Sequence, residues 1–212
     1  MSFDRLAGFY RYLEYMSFWT LLQKGRRHLF GLVLPYKAKI LVIGEGDGRF
    51  VAYAHKLRPD LDWIIIESSG KMIAEAKKRI QSRKISYLQA DFLNFEDRDG
   101  TCFDAVFCPY FFSCLAQENF EKAMFSISKI LKSGGILRMV DFRDPRSMDG
   151  IGQFLQSCVL KVLYLFFRKT AQLEANRLPK FDMLYEASFT LSKIPNDEYP
   201  APFLIISTWT KK

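Results

Sequence analysis

The sequence predicts an α/β fold: a doubly wound, mostly parallel seven-stranded sheet with an antiparallel C-terminal strand and an N-terminal helical cap. Three observations carry this expectation. Short continuous apolar runs such as "KILVIG" (39–44) and "DWIIIE" (62–67) read as strands buried on both faces. Stretches of helical period separate these runs, and strands alternating with helices need right-handed crossovers and a covered parallel sheet. A glycine-rich turn, "GEGDG" (44–48), stands where the first strand passes into its helix.

Each element follows in order. Phe3, Leu6, Phe9, Tyr10, Leu13, Phe18, Leu21 and Leu22 recur at helical spacing, with Gly25 and Pro35 as breaks between two helices. "KILVIG" is the first strand, and "FVAYAHKLRP" (50–59) is a helix that stops before Pro59. "DWIIIE" is the second strand, followed by a helix at 69–83 with Met72, Ile73, Ala76 and Ile80 on its apolar side. "ISYLQAD" (85–91) is the third strand, and "FDAVFCPYFF" (103–112) contains the fourth. A helix at 117–132 is stopped by Gly134 and Gly135, and "GILRMVDF" (135–142) is the fifth strand. A further helix lies at 151–167. "EASFTLSKIP" (186–195) and "APFLIISTWTK" (201–211) then form a hairpin across "NDEYP". The chain reads as one domain: a helical cap at 1–36, a core at 37–142, a helical insertion at 143–185 and a C-terminal hairpin at 186–212.

Composition narrows the function classes. Hydrophobic residues make up 49% of the 212 and charged residues 25%, which is ordinary for a globular chain. Phenylalanine occurs 20 times, which calls for a thick core or an apolar pocket beside it. The net charge of +8 suits an anionic partner or a membrane surface. The densest basic group, Lys71, Lys77, Lys78, Arg79, Arg83 and Lys84, falls on a helix and reads as a solvated face. Cys102, Cys108, Cys114 and Cys158 form no CxxC pair and read as buried thiols of a reducing compartment. His28 and His55 have no partners at ligand spacing, so no metal site is expected. "MSFDRLAGFY" has no apolar signal region, and the apolar segment 151–167 falls short of a membrane span, so a cytoplasmic protein with at most membrane-surface contact is expected.

The glycine turn discriminates between cofactors. A dinucleotide fingerprint, G-x-G-x-x-G, fails at Arg49 when counted from Gly44 and at Val51 when counted from Gly46. A P-loop ending is absent as well. What stands is G-x-G-x-G with Glu67 at the end of the second strand, where an acid can accept both hydroxyls of a ribose. Free N–H groups at the following helix start could receive a carboxylate or phosphate.

This ordered set resembles the class I S-adenosylmethionine-dependent methyltransferases, over most of the chain from about residue 38. "ILVIGEGDGRF" is similar to their first motif, which implies that Gly44, Glu45, Gly46 and Gly48 wrap the amino-acid part of S-adenosylmethionine. "IIIESS" implies Glu67 and Ser68 at the ribose, and "LQADFLNF" implies Asp91 at the adenine amine with Phe92 bordering the ring. "FDAVFCPYFF" resembles the fourth motif, whose strand end, at Cys108, faces the methyl group. "RLAGFYRYLEY" and "LYLFFRKTAQLEANRLP" resemble a bacterial branch of the family, which implies that Tyr10 contacts the cofactor. A core aromatic is the other reading of Tyr10. Two departures stand out: Val42 replaces an acid found in many relatives, and Ser113 or Cys114 stands where that branch tends to have Asp.

The resemblance implies methyl transfer from S-adenosylmethionine, and the aromatic segments flanking the core point to a small, apolar or aromatic metabolite as the acceptor. Tyr110 and Asp141, after the fourth and fifth strands, are the candidate catalytic side chains; pocket wall and loop carboxylate are the other readings. The acceptor pocket is expected from Phe9, Tyr12, Tyr15, Phe18 and Trp19, with Phe154, Leu155, Leu163, Tyr164 and Phe167. RNA or protein methylation, or cofactor binding without catalysis, are the alternatives. No base-methylase Asn/Asp-Pro-Pro-Tyr is present, and "CPY" (108–110) only half resembles it, so nucleic acid is not the expected partner.

Overall fold

The computed structural model describes residues 17–31, 34–95, 100, 102–171, 175, 177–181, 191–193 and 203–212. Five helices are described: α1 (Ser17–Leu29), α2 (Arg49–Leu57), α3 (Gly70–Arg79), α4 (Gln117–Ile130) and α5 (Gly150–Ala171). The strands are β1 (Lys39–Ile43), β2 (Asp62–Glu67), β3 (Ile85–Gln89), β4 (Phe103–Pro109), β5 (Leu131–Phe142), β6 (Leu191–Lys193) and β7 (Leu204–Lys211). They form one sheet in the order β3-β2-β1-β4-β5-β7-β6. The first five strands run parallel; β7 is antiparallel to β5, and three-residue β6 pairs antiparallel with β7. The doubly wound expectation therefore holds, with the antiparallel strand inserted beside β5.

Side-chain alternation along the strands builds the two layers. In β1, Ile40 and Val42 enter one apolar cluster and Leu41 and Ile43 the other. β4 does the same, with Ala105 and Phe107 on one face and Val106 and Cys108 on the other. One layer joins the sheet to α2 through Phe50, Val51 and Ala54, with Phe30 just after α1. Its rings interlock, with Phe50 5.3 Å from Phe107 and Phe30 5.9 Å from Trp63. The other layer joins the sheet to α4 through Phe120, Ala123, Met124 and Ile127.

Some boundaries differ from expectation. β5 starts at Leu131 rather than 135, because Leu131 pairs with Phe103 ahead of a register shift to the Ala105–Ile136 pair. Gly134 turns within that irregularity at φ 74°. The hairpin connection and residues 1–16, with Phe9, Tyr10, Tyr12 and Tyr15, lie outside the described residues. Two thiols also depart from the buried expectation: Cys102 and Cys158 are exposed, Cys114 is half-buried and Cys108 is buried.

Candidate functional site

The parallel order reverses between β1 and β4, and the crevice at their carboxyl ends is the expected ligand position in such sheets. The glycine turn lies there. Gly44, Gly46 and Gly48 adopt φ of 71°, 69° and 82°, a left-handed backbone that side chains disfavour. Their surroundings differ. A Cβ at Gly48 would fall 2.7 Å from the Ala76 Cβ, so this glycine lets α3 pack on the turn. A Cβ at Gly44 would fall 3.1 Å from the Phe111 ring, whereas nothing lies within 4 Å of one at Gly46. The main chain at Gly46 therefore faces open space.

Glu67, at the end of β2, is joined to this turn. Its Oε2 accepts from the Gly46 N–H at 2.9 Å and its Oε1 from the Ser69 N–H at 2.9 Å. The carboxyl is 6% exposed, and desolvation raises its pKa above the usual carboxylate value against these hydrogen bonds. Ser68 Oγ also approaches Oε1, at 3.4 Å. Ser69 then caps α3 by accepting from the Met72 N–H. The spacing that marked Glu67 in the sequence thus corresponds to a direct bond to the central glycine.

Glu45 behaves differently from expectation. Its side chain turns inward, and Oε1 accepts from the Phe50 and Val51 N–H groups at 2.8 and 3.2 Å. It supplies the cap that Gly48 cannot give α2. Two of the helix-start donors expected to be free for a cofactor carboxylate are therefore already used. Full burial pushes the Glu45 pKa up to about 8, although the nearby Arg26 charge opposes the shift. Asp47 is tied outward to Arg49 at 2.6 Å and to Arg79 of α3 at 3.0 Å.

The remaining candidates are spread around the crevice. Asp91 is exposed and accepts from the Leu93 N–H, capping a single 3-10 turn over Phe92–Asn94. Phe92 is 3% exposed and packs edge-on against Phe111 at 6.0 Å, so its ring belongs to the core. Cys108 is wholly buried inside β4. Tyr10 lies outside the described residues. Tyr110 has a strained φ of 58°, and its hydroxyl donates to the Leu22 carbonyl of α1 at 2.9 Å. Asp141 is fully enclosed, accepting from the Ser113 and Phe142 N–H groups at 2.9 and 2.8 Å, and burial pushes its pKa up to about 6. Both candidate catalytic groups thus hold parts of the scaffold together.

Two residues enter the site that the sequence did not single out. Phe111 bridges Gly44 and Phe92 and is half-buried at the strand end. Arg26 of α1 is 6% exposed, stacks over the Tyr110 ring at 5.1 Å and lowers the pKa of both Glu45 and Asp47. Nothing in a single helical arginine distinguishes it from a solvated one. Phe111 could not be told from Phe112, which is buried in the core.

The expected aromatic pocket needs a correction. Tyr164 is buried and Leu163 half-buried, but Phe154 is 69% and Leu155 47% exposed. They lie on the face of α5 opposite its packed row. The described cleft in this region, about 140 Å³, is edged instead by Gln117, Arg146, Arg177, Leu178 and Lys180.

Residues 40–135 match the model of a methyltransferase domain. Over this core the chain is similar to the class I S-adenosylmethionine-dependent methyltransferases. Its sequence is 25% identical over 169 residues to the demethylmenaquinone methyltransferase of Thermotoga maritima, across 79% of this chain and 68% of that protein. Its fold is similar to N-methyltransferase NodS from Bradyrhizobium japonicum WM9 in complex with S-adenosylhomocysteine. There the TM-score is 0.61 at 18% identity, over 94% of this chain and 90% of that one. It is also similar, at TM-score 0.67 and 14% identity, to a structure of a complex between the Haloferax volcanii Trm112 methyltransferase activator and a methyltransferase; the match spans 99% of this chain and 97% of that one. The cofactor of the family is S-adenosylmethionine. An open backbone face at Gly46 beside an acidic acceptor suits a nucleoside with an amino-acid tail.

Proposed function

We propose that this protein transfers the methyl group of S-adenosylmethionine to a small, apolar or aromatic metabolite. The observation that carries the reading is the bond between Glu67 and the Gly46 N–H, which sets a carboxylate against a bare left-handed turn at the crevice. In this reading Glu67, steadied by the Gly46 and Ser69 N–H groups, uses its remaining lone pairs for the ribose hydroxyls. Ser68 assists at that edge. Gly44, Gly46 and Gly48 leave main chain for the amino-acid end. Asp91 serves the adenine amine, while Phe92 and Cys108 form the floor beneath Phe111.

When bound, the cofactor supplies an electrophilic methyl on a sulfonium whose leaving thioether is neutral. The chain's task is then to hold the acceptor in line and exclude water, which is worth ~7–11 kcal/mol of barrier. Tyr110 and Asp141 act in this account by fixing α1 and the β4–α4 turn around the crevice.

The acceptor class rests on the aromatic richness of the chain and on the Thermotoga maritima relative, which is named for demethylmenaquinone, a quinone. The test is incubation with methyl-labelled cofactor and cell extract, separated into small-molecule, lipid, protein and RNA fractions. Label in an apolar small-molecule or lipid fraction is expected. Label confined to RNA or protein would favour the alternative that the +8 charge supports, and calorimetric binding with no transfer would leave a cofactor-binding protein.

A further inference from the structure

Helix α5 is apolar on two opposite sides. Gln156, Leu160 and Tyr164, spaced four apart, face inward. Gln156 Nε2 donates to the Arg143 and Phe203 carbonyls, Tyr164 donates to the Ser113 carbonyl at 3.0 Å, and Leu160 joins Phe142 and Leu204. This row seats the helix. The other side shows Ile151, Phe154, Leu155, Val162 and Leu165 to solvent, with exposures from 47% to 79%. Cys158 is exposed between them. Isolated apolar residues are normal on a surface, whereas a continuous row along four helical turns marks an interaction face.

Charge selects the occupant. The α5 sequence contains Lys161, Arg168 and Lys169 and no acid. Lys161 and Arg168 are exposed. They stand within one turn of Cys158 and Leu165, so they border the apolar row on one side. A second copy of the helix would bring like charges together with no carboxylate on either helix to pair them. An anionic lipid surface complements both the row and its border. No described helix is long and apolar enough to cross a membrane, so the helix would lie along the interface.

We propose that α5 docks the protein on an anionic bilayer surface, with Ile151, Phe154, Leu155, Val162 and Leu165 in the acyl boundary and Lys161 and Arg168 among the headgroups. The inference does not depend on the methyl-transfer reading. The test is co-sedimentation of the full chain with vesicles of phosphatidylcholine alone and of equal parts phosphatidylcholine and phosphatidylglycerol. Binding to the mixed vesicles is expected to be at least about tenfold tighter and to weaken with salt. Phe154→Glu with Val162→Glu should abolish it, and Lys161→Glu with Arg168→Glu should reduce it to the phosphatidylcholine level. S-adenosylhomocysteine affinity, measured on the same variants, should equal that of the parent, which reports an intact fold and separates this test from the cofactor reading. Failure to sediment with either vesicle, undiminished binding by the glutamate pair, or a concentration-dependent dimer that the same pair dissolves would overturn the proposal.

Discussion

The glycine turn and helix α5 flank the same end of the sheet but are held in opposite ways. The turn is fixed by main chain: Gly46 bonds Glu67, Glu45 caps α2, and Gly48 lies against Ala76 of α3. α5 is fixed by one row of side chains, and much of its remaining surface is apolar and exposed. A site made of backbone tolerates almost no change in residue type at its glycines. A face made of exposed side chains can vary freely without disturbing the fold, so its chemistry belongs to whatever it meets.

The largest effect is expected at Gly48. Gly48→Val places a branched side chain at φ 82°, with its Cβ 2.7 Å from that of Ala76 and 2.9 Å from the Ala76 Cα. Left-handed strain and overpacking together cost about 3 kcal/mol or more, so thermal unfolding should show a large fall in Tm or no cooperative transition. A Tm within a few degrees of the parent would break the contrast, because the turn would then be as permissive as α5.

Gly46→Ala should separate binding from folding. No neighbour opposes the added methyl, so the stability cost is the left-handed backbone alone, about 1–2 kcal/mol. Titration calorimetry should nonetheless show S-adenosylhomocysteine binding weakened by at least about tenfold, equivalent to ~1.4 kcal/mol. Equal affinity would mean that the open face of the turn is not where the cofactor lies.

A further effect is expected from pH. The Glu45 carboxyl is raised from 4.5 to about 8, so between those values the folded chain holds a proton that the unfolded chain releases. Stability should therefore fall as pH rises through that window, and Asp141, raised from 3.8 to about 6, adds a fall of the same sign lower down. Glu45→Gln keeps a carbonyl acceptor for the Phe50 and Val51 N–H groups. It should flatten the dependence of Tm on pH between 6 and 8. A slope unchanged by the substitution would show that Glu45 is ionised in the fold.

The smallest effect belongs to α5. Phe154→Ser combined with Val162→Ser alters residues 69% and 66% exposed, and stability should stay within about 0.5 kcal/mol per site. A larger loss in chemical denaturation would show that this face is packed in solution.

The same contrast explains what was legible. Buried strands, crossover helices and the glycine spacing all express backbone geometry, which residue type controls directly; hence β1 to β5, the turn and Glu67 were readable. The inward turn of Glu45 was not, because an acid between two glycines reads equally well as a ligand contact or a helix cap. Arg26 and Phe111 were missed because their roles depend on tertiary neighbours. α5 was recognised as a helix, but its period could not say which apolar side packs. The buried row contains the polar Gln156, wholly enclosed, while Phe154 faces out, the reverse of the usual pattern.

The central claim is that the carboxylate of Glu67 and the bare turn it holds form the cofactor site. Titration calorimetry of S-adenosylhomocysteine into the parent chain and into Glu67→Ala, with circular dichroism to confirm that both are folded, tests it most directly. Saturable one-site binding by the parent and its loss in the folded variant are expected. Equal affinity in the two proteins, or no binding by the folded parent, would contradict the account.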